Sequence, residues 1–148
     1  MAIFTYDNVA LRVYITWGGL LLIKMLIMSF LTIINRIRKG AVENPEDATG
    51  SNFEIKKDED VERIRRAHLN DLENIPAFLL AALMYIITDP NPIVASWLIR
   101  VAVVARIFYT VVYAIYPIRQ PARAICFFTM LGITFYMIIW SMTVFFHY

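Results

Sequence analysis

The chain has 148 residues, is 59% hydrophobic, and carries a formal net charge of +2 with a mean hydropathy of +0.59. That apolar content lies above the range of soluble globular domains and predicts a single integral membrane domain. The one cysteine, Cys126, excludes an internal disulfide and a multi-cysteine zinc site, the two histidines leave little to build a metal site from, and the small net charge gives no reason to expect nucleic acid.

The first apolar run covers about 8–34 and is broken only by Arg12 and Lys24. A span needs about 20 apolar residues, so this run crosses a bilayer with some tilt. It is too long, and its N-terminal side too poor in cations, for a cleaved signal peptide, which predicts a retained span. Lys24 lies mid-span, and two readings stay open. Its stem reaches along the helix to a polar interior position, or its ammonium pairs with a carboxylate on another helix. Gly18-Gly19 would admit close helix packing. A polar connection follows, about 35–60. Within it Gly40 predicts the end of the first helix. Asn44-Pro45-Glu46-Asp47 predicts a turn and a short helical start. Lys56 to Asp60 reads as a solvated mixed-charge face.

The second span, about 62–88, opens on the densest charge in the chain, from Arg63 to Glu73. On a helix Arg66, Asn70 and Glu73 fall at i, i+4 and i+7 and share one face at the mouth of the span. A charge near the bilayer centre costs about 2.5–3.5 kcal/mol on insertion scales, so such groups face protein, water or a ligand. Cations, an amide and a carboxylate together predict a pocket for a small zwitterionic or anionic ligand, or a polar seam between helices. For Glu73 the alternatives are an ion pair with an arginine and a grip on a ligand ammonium. Pro76 cannot donate to the Leu72 carbonyl and predicts a bend just after Glu73.

Asp89-Pro90-Asn91-Pro92 is a tight turn, short enough that the second and third spans are expected as antiparallel neighbours. In the third span, about 93–115, Arg106, Thr110 and Tyr113 form a second polar face at i, i+4 and i+7. A proline-bounded loop, Tyr116 to Arg123, leads into the fourth span, about 122–146, where Cys126 is expected as a small buried residue. Eight Lys or Arg residues lie between Asn35 and Arg66, Arg119 and Arg123 flank the third loop, and the Asp89–Pro92 turn has none. The bias predicts that both basic loops are cytosolic, both termini lumenal, and the pocket open to the cytosol. Anchoring alone accounts for Arg38, Lys39 and Arg119. No Walker loop, dinucleotide fingerprint, nucleophile elbow or HExxH motif is present.

The run Arg66-Ala67-His68-Leu69-Asn70-Asp71-Leu72-Glu73-Asn74-Ile75 resembles the signature of the membrane-associated proteins in eicosanoid and glutathione metabolism. Asn44-Pro45-Glu46-Asp47, the Arg106-to-Tyr113 stretch and Gln120-Pro121-Ala122-Arg123 agree with it in order, so the resemblance covers nearly the whole chain. It is nearest to the microsomal glutathione transferase branch, with the prostaglandin E synthase branch next. The resemblance implies an all-α membrane protein whose subunit is a four-transmembrane-helix bundle, assembled as a homotrimer, with glutathione as co-substrate between neighbouring subunits. By motif position it implies that Arg65, Arg66, His68, Asn70, Glu73, Arg106 and Tyr113 bind glutathione, with Arg36 contributed by the adjacent subunit. Arg123 is then the catalytic residue that holds the sulfur as thiolate. The implied activity is glutathione transfer to hydrophobic electrophiles, with glutathione-dependent reduction of lipid hydroperoxides beside it. The alternatives are a prostaglandin E synthase-type isomerase and a non-catalytic lipid-binding scaffold. The implied location is the endoplasmic reticulum membrane, with the mitochondrial outer membrane as a further one.

Departures from the family pattern refine this. Leu69, Ala124 and Phe127 stand where the prostaglandin branch has arginine, serine and tyrosine, which argues against prostaglandin synthesis. Ala48 stands where the transferase branch has a cysteine linked to thiol-dependent activation, so that route is expected to be missing. A cysteine-like thiol is only about 3% ionised at neutral pH. Lowering its pKa by about two units needs roughly 2.7 kcal/mol of preference for the anion, which one well-placed guanidinium supplies.

Overall fold

Asn8 starts the first helix, α1 (Val9–Lys39), by accepting from the Leu11 N–H with its side-chain oxygen at 3.1 Å. The helix ends at Gly40, as expected, because its φ of 58° is left-handed and costs a glycine nothing. Arg36, Arg38 and Lys39 occupy the last turn, where cations meet the negative end of the helix dipole. At ~46 Å for 31 residues, α1 is longer than a bilayer core and carries its basic last turns beyond it.

The structure, a computed structural model, describes residues 4–49 and 53–147; residues 50–52 of the predicted polar connection lie outside the described residues. After Gly40 the chain forms β1 (Ala41–Val42), then the short α2 (Pro45–Ala48), then β2 (Glu54–Ile55). The two strands pair in parallel, Ala41 with Glu54 and Val42 with Ile55. The α2 start is the one expected at Asn44-Pro45, whereas the strand pair has no counterpart in the sequence reading.

Asp58 caps α3 (Glu59–Ile87) by accepting from the Asp60 and Val61 N–H groups. Glu59, Asp60 and Glu62 complement the positive end of its dipole. Pro76 lies inside α3 and does not end it. Asp89, at φ 50°, and Asn91, which accepts from Ile93 and Val94, make the expected turn into α4 (Pro92–Thr110). The third span closes with a π-helical turn, Val111–Ile115, before the loop into α5 (Ala122–Phe146).

Four of these helices are long and apolar enough to cross a membrane among the described residues. Their outer faces carry large apolar side chains such as Leu26, Phe30, Phe128 and Phe135, all exposed, as suits a lipid-facing bundle. Inside, Leu21, Phe78, Tyr85, Ile99, Val103 and Met137 form the main core. Gly18 lets α1 and α3 approach, since a Cβ there would sit 3.0 Å from Leu79 Cδ2; Gly19 faces open space.

The short turn does not make α3 and α4 side-by-side neighbours. Each packs mainly against α1 and α5, which places α3 and α4 across a diagonal of the bundle. Long polar side chains bridge that diagonal, and these build the site.

Candidate functional site

The stripe Ile64, Ala67, Asp71, Ile75 and Phe78 is the buried face of α3, so its one carboxylate is forced into the bundle interior. Lys24 of α1 and Arg106 of α4 meet it there. Lys24 Nζ bonds Asp71 Oδ2, and Arg106 Nε donates to Asp71 Oδ1 at 2.8 Å. This is the inter-helix pairing left open for Lys24. Asp71 and Arg106 are both 0% exposed, an arrangement that avoids a lone buried charge.

Arg106 Nη2 also donates to the Asn70 backbone carbonyl and to Asn70 Oδ1, each at 2.6 Å. Because a guanidinium only donates, the Asn70 atom facing it is the oxygen, which leaves N–H donors for whatever else Asn70 meets. Arg106, expected to contact a ligand, is thus held inside the bundle, with the Tyr109 ring centre 4.5 Å from its guanidinium carbon. Asp71 was absent from the sequence-based set, although its place on the apolar stripe was the signal that could have found it.

A second cluster gathers at the same end of the bundle. Arg66 Nε donates to the Tyr113 hydroxyl at 3.4 Å, and the Arg123 guanidinium carbon lies 4.3 Å from the Tyr113 ring centre. Tyr113 stands edge-on to Tyr109 at 5.6 Å. Beside this cluster is an open groove of about 210 Å³ lined by Tyr109, Gln120, Arg123, Ala124, Phe127 and Phe128. Glu73 is exposed on the Arg66 flank of α3, and among the described residues no ion pair holds it. Cys126 is half-buried in α5 rather than buried.

Arg65 and Arg66 are adjacent in sequence and therefore point about 100° apart around α3. Arg65 and His68 accordingly line a different groove, about 360 Å³, between α1 and α3, together with Arg36, Thr32, Leu69 and Leu72. Here the connecting loop intervenes. Glu43 Oε2 lies 2.8 Å from Arg36 Nη2, and Glu43 Oε1 lies 3.8 Å from Arg65 Nε. The Arg36 guanidinium, with Arg65 behind it, holds the Glu43 carboxyl below the usual carboxylate range. Glu62 also approaches Arg65, at 3.5 Å. Glu43 had no place in the sequence reading, since one carboxylate in a charged loop carries no periodic signal.

The structure therefore sorts the nine expected residues into three groups. Arg36, Arg65 and His68 share one groove, and Arg66, Tyr113 and Arg123 share a cluster on another flank of α3. Arg106 and Asn70 are tied together beneath the second flank, with Glu73 exposed on it.

A bundle of four apolar helices with arginines gathered at one end of its spans defines a multi-pass membrane protein. The chain belongs to the MAPEG family, whose model matches residues 14–143. It is 40% identical over 134 residues to microsomal glutathione S-transferase 1 of Mus musculus, covering 86% of each chain, and it is 40% identical over the same length and coverage to the Homo sapiens protein of that name. It is also 39% identical over 120 residues to prostaglandin E synthase of Homo sapiens, covering 80% of this chain and 78% of that one.

Proposed function

We propose that this protein is a membrane-bound glutathione transferase, facing the cytosol from the endoplasmic reticulum or mitochondrial outer membrane. It ionises glutathione and delivers the thiolate to hydrophobic electrophiles or lipid hydroperoxides that arrive through the bilayer. The observation that carries this reading is the Arg66–Tyr113–Arg123 cluster beside the groove at Ala124, Phe127 and Phe128. A cation at the first turn of α5 adds to the positive end of that helix, and both favour a thiolate over a thiol. The aromatic wall of the groove opens on the apolar flank of α5 and suits an electrophile of low polarity.

Glutathione carries two carboxylates and one ammonium. Arg36 and Arg65 offer cations and His68 an imidazole on one groove, while Arg66 and Glu73 offer opposite charges and Asn70 an amide on another flank. A head-to-tail ring, in which one subunit's first groove meets its neighbour's second flank, completes a site at each interface. The family resemblance supports a homotrimer as the form of that ring.

The near-equal identity to the prostaglandin E synthase relative favours a second reading, a glutathione-dependent isomerase. Leu69, Ala124 and Phe127 weigh against it. One purified preparation, assayed with glutathione and an aryl halide, a lipid hydroperoxide and the prostaglandin endoperoxide, separates the two. Conjugation or peroxide reduction is expected to exceed isomerisation. Efficient endoperoxide conversion with negligible conjugation would reverse the ranking.

A further inference from the structure

Glu43 puts one carboxylate oxygen toward each of two guanidiniums that come from different helices, Arg36 of α1 and Arg65 of α3. This is the way a ligand carboxylate would be gripped. Its place is fixed by local structure rather than by chance. Gly40 ends α1 in a left-handed conformation, the Val42–Ile55 pairing holds the strand that follows, and α2 starts at once at Pro45. The side chain is still within reach of water, with Glu43 40% and Arg36 25% exposed. Ion pairs of that kind are weak and exchange readily.

We propose that Glu43 is an internal competitor for Arg36 and Arg65, an affinity-setting residue that an incoming ligand carboxylate must displace from the α1–α3 groove. This rests on the reading that the groove takes a carboxylate of glutathione. Glu62, which also approaches Arg65, already lies against Glu43, so once the arginines are taken by a ligand like-charge repulsion moves the displaced carboxylate toward solvent. The consequence is a ligand affinity held below what the two arginines alone would give.

The test is calorimetric binding of glutathione to the full chain in lipid nanodiscs, comparing wild type, Glu43→Gln and Glu54→Gln. Glu43→Gln keeps the shape of the side chain and removes its charge. Its Kd should fall by about two- to fivefold, the range an exposed ion pair commands. The gain should shrink at high salt, because the competition is between solvent-exposed charges. Glu54→Gln makes the same change of loop charge but pairs with Lys56 instead, and should leave Kd unchanged. Equal or weaker binding by Glu43→Gln would overturn the proposal and make Glu43 a holder of the arginines. An equal gain in Glu54→Gln would overturn it in favour of a general loop-charge effect. Wild-type protein that binds no glutathione would instead overturn the functional reading itself, and this inference with it.

Discussion

Arg106 Nε and Asp71 Oδ1 are 2.8 Å apart with both side chains sealed from solvent, and this pair joins two helices that otherwise touch little. Removing the carboxylate leaves two cations, Lys24 and Arg106, facing each other without compensation. Asp71→Asn should therefore lower unfolding stability by about 3–5 kcal/mol. Lys24→Met should cost much less, since Asp71 keeps its bond to Arg106. Thermal unfolding in detergent checks both, and equal midpoints for Asp71→Asn and wild type would contradict the account.

Arg123 and Glu73 should fail in opposite ways. On the proposed mechanism Arg123→Leu removes the charge that favours the thiolate, and a rise of about two units in the thiol pKa cuts the thiolate fraction, and turnover if ionisation limits it, by roughly 25-fold at neutral pH. Glutathione affinity should change far less. Glu73→Ala should weaken binding first, because Glu73 is expected to meet the ligand ammonium. Thiolate absorbance together with equilibrium binding distinguishes the two. Unchanged absorbance and turnover in Arg123→Leu would move the activating role to another arginine.

Gly18 and Gly19 are neighbours with different surroundings. Gly19→Ala should stabilise by about 0.5–1 kcal/mol, since alanine is the better helix former and nothing lies within 4 Å of its Cβ. Gly18→Leu should destabilise, because even its Cβ already touches Leu79. Melting temperatures of the two variants should bracket that of the wild type.

The loop that carries Lys56 and Lys57 should be cut by a protease of broad specificity added outside sealed microsomes, with the Asp89–Pro92 turn protected. Cleavage at that turn alone would place the site on the lumenal side.

Thiol alkylation should not raise activity. Ala48 offers no sulfur at the loop position, and Cys126 is half-buried within α5. Several-fold activation by a maleimide would assign Cys126 more than a packing role.

Much of the fold was legible because membrane spans announce themselves by length and apolar content, their ends by Gly40 and Asn91-Pro92, and the short α2 by Asn44-Pro45. The diagonal placement of α3 and α4 was not, because a short turn fixes direction but not which helices pack together. Within the site, Arg66, Asn70 and Glu73 were readable from helical spacing. The divergence of Arg65 from Arg66 follows from the same periodicity. The pairing of Lys24 with Asp71 and the bridging by Glu43 depend on contacts across 47 residues and around a left-handed turn, and residue spacing carries neither.

The π-helical turn at Val111–Ile115 holds Tyr116 N–H on the Val111 carbonyl, five residues back, at 2.8 Å. Such a turn fits one more residue than an α-helix would in the same length. Deleting one residue there would let the span close as an ordinary helix and still cross the bilayer. Residues beyond the turn would keep their places, because the turn holds its extra residue without shifting its flanks; a deletion in the regular part of α4 would instead rotate everything beyond it by about 100°. A single codon missing from α4 itself would thus leave a protein that inserts into membranes but has its two arginines, Arg66 and Arg123, no longer converging on one tyrosine, whereas the turn absorbs the same loss.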